Sequence, residues 1–411
     1  MPEGGAFRED VRSLEFLAHC AVPMPASIVV LEKQLDRCLS RPRVTAHDAV
    51  ALPGAAARWA AAVWAAASRA GPVELGRDEV ARGFDVARRP VFICGAHRSG
   101  TTLVRDLLDS HPALAVLPAE GTFFTNLESR LQRHPQVQWL QVLGCEWLCR
   151  LANPIHQYPY WLLGPSAADR SPYVEFARAL MTWWPLAEQR MSHAASWPLV
   201  AVALAYAYCT NGFGANCLLQ RWVEKTPTNE RFLDRLRSEF PDAKLIHVVR
   251  HPFAVYASHK YEQQHLGRKF RNGKRVLRDL GVSYRVALEH DCNHRSDHYL
   301  VVRYEDFLES THTMVETLAA FLDIEPLPTL MQPTAAGLPA PSNSSFTSEA
   351  APGCLNSAHH RWTTTLTRSD RERLTAVVGE SAAALGYDLP SVTPWRACLF
   401  RLAARMSQNA L

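Results

Sequence analysis

The chain has 411 residues, of which 47% are hydrophobic, and its formal net charge at pH 7 is +4. A chain of this length accommodates one large α/β domain with an appendage, or two domains. The charge excess is too small to favour nucleic acid as the main partner, so anion binding must depend on local clusters of Arg and Lys.

The first residues do not have the pattern of a signal peptide. Charged side chains precede any apolar run, namely Glu3, Arg8, Glu9, Asp10 and Arg12. The apolar segment 51–67 is interrupted by Pro53, Gly54 and Arg58, and the segment 197–208 is too short to span a bilayer. We therefore expect a soluble, cytoplasmic protein without a transmembrane segment, in which residues 197–208 form a buried helix.

The remaining elements follow in chain order from their hydrophobic patterns. Residues 1–88 are rich in Ala and Arg and predict a helical N-terminal extension. Beyond them, the sequence predicts strands over 90–94, 244–249 and 299–303, a helix over about 101–110 and a loop over 326–352. Buried strands separated by helices predict an α/β fold, a three-layer sandwich with a mostly parallel central sheet.

The ten cysteines are scattered between Cys20 and Cys398, and only Cys145 and Cys149 lie close together in sequence. This CxxxC pair has no second Cys or His pair at zinc-finger spacing. The cysteines therefore predict buried thiols in a reducing compartment, and no metal site.

Residues 95–102 follow the first predicted strand and lead into a helix, with glycines at Gly95 and Gly100. This spacing is that of a phosphate-binding P-loop, whose backbone N–H groups face the phosphate at a helix N-terminus. Nucleotide triphosphatases carry Lys after the second glycine, but here Thr101 follows and Arg98 brings the cation from inside the loop. The loop predicts a P-loop-type fold that binds phosphate without a triphosphate–magnesium arrangement; the alternative is a plain helix-capping turn.

The strand over 244–249 is followed by Arg250, where ATPases and GTPases carry an Asp that holds Mg²⁺. A cation at the carboxyl end of a parallel strand points into the crevice where such sheets bind ligands. Arg250 and Ser258 together suit an additional, non-transferred phosphate. The alternative is a surface salt bridge for Arg250 and a helix cap for Ser258.

Together these motifs resemble the PAPS-dependent sulfotransferases, which use 3′-phosphoadenosine 5′-phosphosulfate. Residues 90–103 resemble the 5′-phosphosulfate loop of this family, and the segment from 244 to Ser258 resembles its 3′-phosphate motif. Residues 224–227 (Glu-Lys-Thr-Pro) resemble an element of the bacterial branch related to tyrosylprotein sulfotransferases. The same branch is matched by 303–306, 343–346 and Arg361-Trp362, so the resemblance covers roughly residues 88–387.

The resemblance implies a sulfotransferase domain over 89–411 that moves a sulfuryl group from PAPS to a hydroxyl acceptor without a metal. Such transfer depends on cations and N–H donors that converge on the leaving 5′-phosphate. The residues expected to act there are Arg98, Lys225 and a serine, either Ser344 or Ser345, of which Ser345 is taken as catalytic. The expected cosubstrate contacts are Arg98, Ser99, Gly100, Thr101, Thr102, Arg250, Ser258, Tyr304, Ser344, Arg361 and Trp362.

Glu120 is the candidate general base for the acceptor hydroxyl. It follows a further predicted strand that lies between the strand over 90–94 and residue 117, so we expect it at the carboxyl edge of the sheet, beside the P-loop. A glutamate there resembles the base of the tyrosylprotein and heparan-type branches. The alternative roles of Glu120 are a helix N-cap acid and a salt-bridge partner. The alternative candidate for the base is His97.

Two segments are candidates for acceptor binding. Residues 139–197 are rich in aromatic side chains: Trp147, Tyr158, Tyr160, Trp161, Tyr173, Trp183 and Trp184. Residues 259–278 are basic: Lys260, Arg268, Lys269, Arg271, Lys274, Arg275 and Arg278. Helix packing and a solvated helix face explain them equally well. The acceptor class therefore stays open among hydroxyls of small molecules, carbohydrates, lipids and peptides.

Two alternative functions remain from the sequence. A P-loop kinase that uses ATP requires Mg²⁺ and a Lys after Gly100, which is absent. A nucleotide-binding module without turnover would bind the bisphosphate product and transfer nothing.

Overall fold

The computed structural model describes residues 46–406 except 153–161, 164–170, 266, 268, 292–296, 342–352 and 355–361. The strands are β1 (Pro90–Cys94), β2 (Leu114–Val116), β3 (Arg221–Lys225), β4 (Lys244–Val249), β5 (Tyr299–Arg303), β6 (Thr334–Ala335) and β7 (Leu338–Pro339). The α-helices are α1 (Ala46–Ala70), α2 (Arg77–Ala87), α3 (Thr101–Leu108), α4 (Glu128–Leu131), α5 (Trp139–Leu151), α6 (Ser171–Met191), α7 (Trp197–Thr210), α8 (Leu233–Glu239), α9 (Pro252–His265), α10 (Gly273–Asp291), α11 (Tyr304–Glu309), α12 (Thr311–Leu322), α13 (Trp362–Thr365), α14 (Arg368–Ala384) and α15 (Pro394–Met406). Helical turns of other pitch lie at Phe123–Leu127, Gln136–Gln138, Asn229–Phe232 and Pro328–Met331.

A parallel sheet with the strand order β2-β3-β1-β4-β5 lies among these helices. β4 pairs in parallel with β1 on one side and with β5 on the other, in a register that sets Cys94 opposite His247 and Val249 opposite Arg303. The predicted α/β class is therefore confirmed. Strands predicted over 90–94, 244–249 and 299–303 are present at those bounds, because each is a largely apolar run; β1 and β4 are buried throughout and β5 in part.

The described residues group into two compact units. One takes its residues from Met1–Arg89, Pro112–Trp222 and Ala335–Leu338, and the other from Pro90–His111, Val223–Thr334 and Pro339–Leu411. In the first unit, aromatic rings fill the spaces between helices: Trp59 meets Tyr173 edge-on at 5.0 Å between ring centres, and Trp183 meets Phe213 at 5.3 Å. The predicted buried helix is α7, whose residues 197–207 are all buried.

In the second unit, β1 and β4 are buried along their whole length. Phe253, Leu280, Tyr284 and Leu374, from α9, α10 and α14, form part of one apolar cluster in this unit. Within β4, the fully buried His247 hydrogen-bonds with the Tyr299 hydroxyl at 2.6 Å and with the Ser283 hydroxyl at 2.8 Å. Burial lowers the pKa of His247 to about 3, with a smaller contribution from His290, so the ring is neutral at pH 7.

Other expectations are met in part. The predicted helix over 101–110 ends at Leu108, and the predicted loop over 326–352 contains a helical turn and the strands β6 and β7. Among the described cysteines, Cys94, Cys145 and Cys149 are buried thiols, as predicted, but Cys209 and Cys217 are only partly buried and Cys354 and Cys398 are exposed, so the prediction of buried thiols is wrong for these. Burial raises the pKa of Cys149 to about 12. Among the helices that the structure describes, none is long and apolar enough to cross a membrane.

Candidate functional site

Three adjacent strands, β1, β4 and β5, end at the same edge of the sheet, since they run in parallel and in register. The residues that directly follow the ends of these strands are Gly95, Arg250 and Tyr304. The guanidinium carbon of Arg250 lies 4.0 Å from the centre of the Tyr304 ring, within the range of a cation–π contact. The same ring also lies against Gly100, where an added Cβ would lie 2.2 Å from a Tyr304 ring carbon. Tyr304 therefore contacts both predicted phosphate-binding motifs.

The loop between β1 and α3 needs both of its glycines. Gly95 has φ +139° and Gly100 has φ +103°, conformations that side chains disfavour. A Cβ at Gly95 would also lie 2.3 Å from the carbonyl oxygen of Val248. The Oγ of Ser99 is buried and has no hydrogen-bond partner among the described residues. Because the first N–H groups of a helix lack intrahelical acceptors, the start of α3 at Thr101 adds donors at the end of this loop.

Arg250 is fixed by the groups around it. Its Nη1 donates to the carbonyl oxygen of Arg98 at 3.1 Å. The backbone carbonyl of Arg250 accepts a hydrogen bond from the hydroxyl of Tyr284. The Nε of Arg250 is buried and has no hydrogen-bond partner within the described part of the chain. The next residue, His251, donates its N–H to the buried carboxylate of Glu305 at 3.0 Å. Arg250 thus lies at the predicted strand end, and no described carboxylate forms the surface salt bridge that was its alternative role.

Lys225 ends β3, the strand on the other side of β1, and is only 2% exposed. The turn after it holds the loop at Gly95, whose carbonyl accepts from the Thr228 N–H at 2.9 Å and whose N–H donates to Glu230 at 3.1 Å. Burial raises the pKa of Glu230, which is 2% exposed. Burial also raises the pKa of Asp106 on α3 to about 6, although the positive charges of Arg105 and Lys225 act to lower it. Lys225 is therefore placed where its charge acts on the helix that follows the loop.

The side chains of His259 and Glu262, on helix α9, contact the loop. His259 donates from Nε2 to the carbonyl of His97 at 3.3 Å, and Glu262 forms an ion pair with Arg98. Desolvation, together with the charge of Arg98, lowers the pKa of His259 to about 4, so this ring is neutral at pH 7. Ser258 is buried within the same helix and does not cap it, since α9 begins six residues earlier at Pro252.

The remaining predicted residues have different outcomes. Trp362 stacks on His251 with ring centres 5.4 Å apart and planes 8° apart, so it lies next to the residue after Arg250. Ser344, Ser345 and Arg361 lie outside the described residues. Thr122, and not Glu120, is the residue before the helical turn Phe123–Leu127, so Glu120 is not an N-cap acid. Its role as a base stays a prediction, and Glu120 belongs to the first compact unit.

The aromatic segment and the basic segment both have structural explanations. Trp147, Tyr173 and Trp183 are fully buried, which favours helix packing over an open pocket, whereas Tyr158, Tyr160 and Trp161 lie outside the described residues. In the basic segment, Lys260 pairs with Asp370 at 2.7 Å, and Arg275 and Arg278 both approach Asp279.

Sequence reasoning missed the two glutamates that hold the loop, Glu230 and Glu262. Glu262 lies four residues after Ser258 on α9, and this spacing places both on one face of a helix. That signal could have been found. Glu230 has no comparable signal, because its partner is a backbone N–H far away in sequence.

The parallel sheet and its strand–loop–helix segment define an α/β protein of P-loop-like fold. A family model described as the sulfotransferase family matches residues 90–328, more than half of the chain. The chain therefore belongs to the sulfotransferase family and is of the transferase class.

The chain is also similar to solved structures at low identity. The sulfotransferase domain of the Synechococcus PCC 7002 olefin synthase is 22% identical, with a TM-score of 0.41 over 74% of this chain and 96% of that one. Sulfotransferase STF9 from Mycobacterium avium is 14% identical, with a TM-score of 0.42 over 95% of this chain and 100% of that one. No curated protein matches the chain.

Proposed function

We propose that the chain is a PAPS-dependent sulfotransferase that transfers a sulfuryl group to a hydroxyl acceptor. The observation that carries this proposal is the pair of buried groups, Ser99 Oγ and Arg250 Nε, that have no hydrogen-bond partner among the described residues. A buried polar group without a partner costs about 1–3 kcal/mol, which a ligand that supplies acceptor oxygens would recover. Phosphate and sulfate oxygens are such acceptors, and both groups belong to motifs at one edge of the sheet.

When bound, PAPS supplies the sulfuryl group and a 5′-phosphate that leaves. Residues of the loop stabilise the charge on that leaving group: Arg98 by its guanidinium, and Ser99, Gly100, Thr101 and Thr102 by backbone N–H groups and hydroxyls. Lys225, at the end of the neighbouring strand, adds the second cation. To act in this way, Arg98 exchanges its ion pair with Glu262 for the ligand.

Arg250 and Ser258 bind the 3′-phosphate. The cation–π contact with Tyr304 and the hydrogen bond to the Arg98 carbonyl hold the guanidinium of Arg250 at the carboxyl end of β4. Trp362 contributes from its stack on His251. By family resemblance, Arg361 and Ser344 also bind the cosubstrate, and Ser345 contacts the leaving group.

Glu120 acts as the general base that takes the proton of the acceptor hydroxyl, a role worth about 10²–10⁴ in rate. The acceptor is a hydroxyl of a small molecule, a carbohydrate, a lipid or a peptide. The transferase domain extends over residues 89–411, and residues 1–88 form a helical extension to it.

A ligand panel tests the cosubstrate. Adenosine 3′,5′-bisphosphate should raise the melting temperature more than ATP–Mg²⁺ or adenosine 5′-phosphate does. The Arg250→Ala variant should lose the preference and keep its fold. Equal shifts for all three nucleotides would refute the assignment, and a larger shift with ATP–Mg²⁺ would favour a kinase.

A transfer screen tests turnover. Purified protein is incubated with PAPS labelled in the sulfuryl group and with phenols, sugars, lipids and peptides in separate arms. Transfer to any hydroxyl class supports the proposal. Tight binding of the bisphosphate with no transfer in any arm would favour the module without turnover.

A further inference from the structure

A single arginine holds the backbone beside Glu120. Arg150, on α5, donates from Nη1 to the carbonyl oxygens of Glu120 and Gly121, the latter at 3.3 Å, and from Nη2 to the Thr122 hydroxyl at 3.0 Å. The three contacts fall on three successive residues. One planar guanidinium therefore spans the whole segment 120–122, which a shorter or single-donor side chain cannot do.

Arg150 is itself held by a buried carboxylate. Its Nε and Nη2 both donate to Oε1 of Glu146, at 3.0 and 2.8 Å, and Arg130 donates to the other oxygen at 2.9 Å. Burial alone would raise the pKa of Glu146, but the charges and hydrogen bonds of Arg150 and Arg130 outweigh it and hold the pKa below its usual value. The charged form of Glu146 is thus favoured, and its carboxylate fixes the direction of the Arg150 side chain.

The segment needs such support because its backbone is strained. Thr122 has φ +51°, in the left-handed region that a β-branched residue rarely adopts. A conformation of this kind costs of order 1–3 kcal/mol and persists only where the surroundings impose it. The hydrogen bonds from Arg150 to the two carbonyls and to the Thr122 hydroxyl are such surroundings.

We propose that Arg150 is a positioning residue for Glu120: by fixing the peptide planes after Glu120, it sets the direction in which the carboxylate leaves the backbone. The inference rests on the proposed function, in which Glu120 is the general base. A misplacement of about 1 Å at a reacting group costs about 100-fold in rate, so the clamp affects turnover even though Arg150 need not touch the acceptor. It does not affect nucleotide binding, because its described contacts are with residues of the 120–122 segment and of α5.

The chain offers a matched control. Arg130 donates to the same carboxylate of Glu146 as Arg150 does, and both arginine side chains are 19% exposed. Arg150→Gln and Arg130→Gln each remove one guanidinium from the same anion. Any difference between them reports on the loop contacts and not on the loss of a buried ion pair.

The experiment measures three quantities for each variant: kcat with an alcohol acceptor, Kd for adenosine 3′,5′-bisphosphate by calorimetry, and amide hydrogen exchange over residues 119–124. Arg150→Gln should lower kcat about 10- to 100-fold, leave Kd within about twofold, and speed exchange in the loop. Arg130→Gln should keep kcat within about threefold. If Arg150→Gln does not fold, Arg150→Lys keeps the charge but cannot span the three contacts, and should show the same pattern.

A double-variant cycle with Glu120→Gln separates the two ideas. If Arg150 acts through Glu120, the Arg150→Gln change should cost little more once Glu120 is already Gln. Fully additive losses of kcat in the double variant, or equal kcat for Arg150→Gln and Arg130→Gln, would overturn the positioning role of Arg150. A strong loss of kcat in Glu120→Gln would in that case still support Glu120 as the base. Normal turnover in Glu120→Gln would instead remove the base, and with it this role for Arg150.

Discussion

The guanidinium of Arg250 stacks on the ring of Tyr304, and the same ring lies against Gly100 of the loop after β1. The two predicted phosphate motifs are therefore joined by an aromatic side chain that directly follows a third strand, β5. Because the ring fixes the guanidinium, part of the ordering cost of binding an anion is met before the ligand arrives.

Replacing Tyr304 with Leu should weaken binding of adenosine 3′,5′-bisphosphate, since the cation–π contact contributes about 0.5–2 kcal/mol. Binding of adenosine 5′-phosphate should change less, because Arg250 is proposed to contact only the 3′-phosphate. Calorimetry with both nucleotides measures the difference. Tyr304→Phe keeps the ring and should behave like the wild type; an equal loss in Phe and Leu variants would contradict the role of the ring.

Gly100→Ala should destabilise the protein through two effects. The positive φ costs a side chain about 1–2 kcal/mol, and the clash with Tyr304 adds about 1–3 kcal/mol. Gly212→Ala is the control, because Gly212 has φ +66° but nothing within 4 Å of an added Cβ. Denaturant unfolding should give a larger loss at Gly100, and Tyr304→Ala should recover part of it. Equal losses at both glycines would show that the ring does not restrict this position.

Glu262→Gln should tighten binding of the bisphosphate several-fold, because it removes the anion that now pairs with Arg98. The gain should shrink at high salt, where charge interactions are screened. Calorimetry at two ionic strengths measures this. Glu289→Gln removes the same charge from an exposed position on α10 and should leave Kd unchanged. Weaker binding in Glu262→Gln would mean that Glu262 orients Arg98 for the ligand.

Glu120→Gln should lower kcat by about two decades or more and leave bisphosphate binding nearly unchanged. A phenol of low pKa needs less help from a base, so it should partly rescue this variant in the transfer assay. It should not rescue Lys225→Ala, which acts on the leaving group. Arg98→Ala should lower both nucleotide affinity and turnover. Should Glu120→Gln retain normal turnover with an alcohol, His97 becomes the next residue to test.

His247 should make stability depend on pH. Its pKa is lowered from 6.5 to about 3 by burial, so between these values the unfolded chain binds a proton that the folded chain does not. The free energy of unfolding therefore falls as the pH falls through this window, by on the order of 1 kcal/mol between pH 7.5 and 5.5. His247→Gln should remove that part of the loss in denaturant unfolding. His312→Gln, at an exposed position on α12, should retain it; identical pH dependence in wild type and His247→Gln would rule out the effect.

Local patterns were enough to predict the bounds of β1, β4 and β5 and the loop after β1, but not β3, β6 or β7. The positions of Gly95, Gly100 and Arg250 at strand and loop ends were predictable because they depend on neighbours a few residues away: an apolar run before them and a helix after them. The sheet then brings Arg250 and the loop together by the general rule that parallel strands end at one edge.

Contacts that depend on the rotation and distance of packed helices were not predictable. The ion pair of Arg98 with Glu262 depends on how α9 is rotated about its axis relative to the loop, and no local sequence pattern specifies this rotation. The grip of Arg150 on residues 120–122 spans about thirty positions and involves two backbone carbonyls, which carry no sequence signal. The direction of Glu120 depends on this second kind of contact.

The hydrogen bond from Gly95 to Glu230 spans 135 positions of the chain. A ribosome adds about 5–20 residues per second, so many seconds pass between the synthesis of the glycine loop and that of the turn that holds it. Throughout that interval the nascent chain carries the loop without Glu230 and without the Thr228 N–H that its carbonyl needs. The loop between β1 and α3 therefore gains these two supporting hydrogen bonds late in translation, after the segment beyond β3 has emerged.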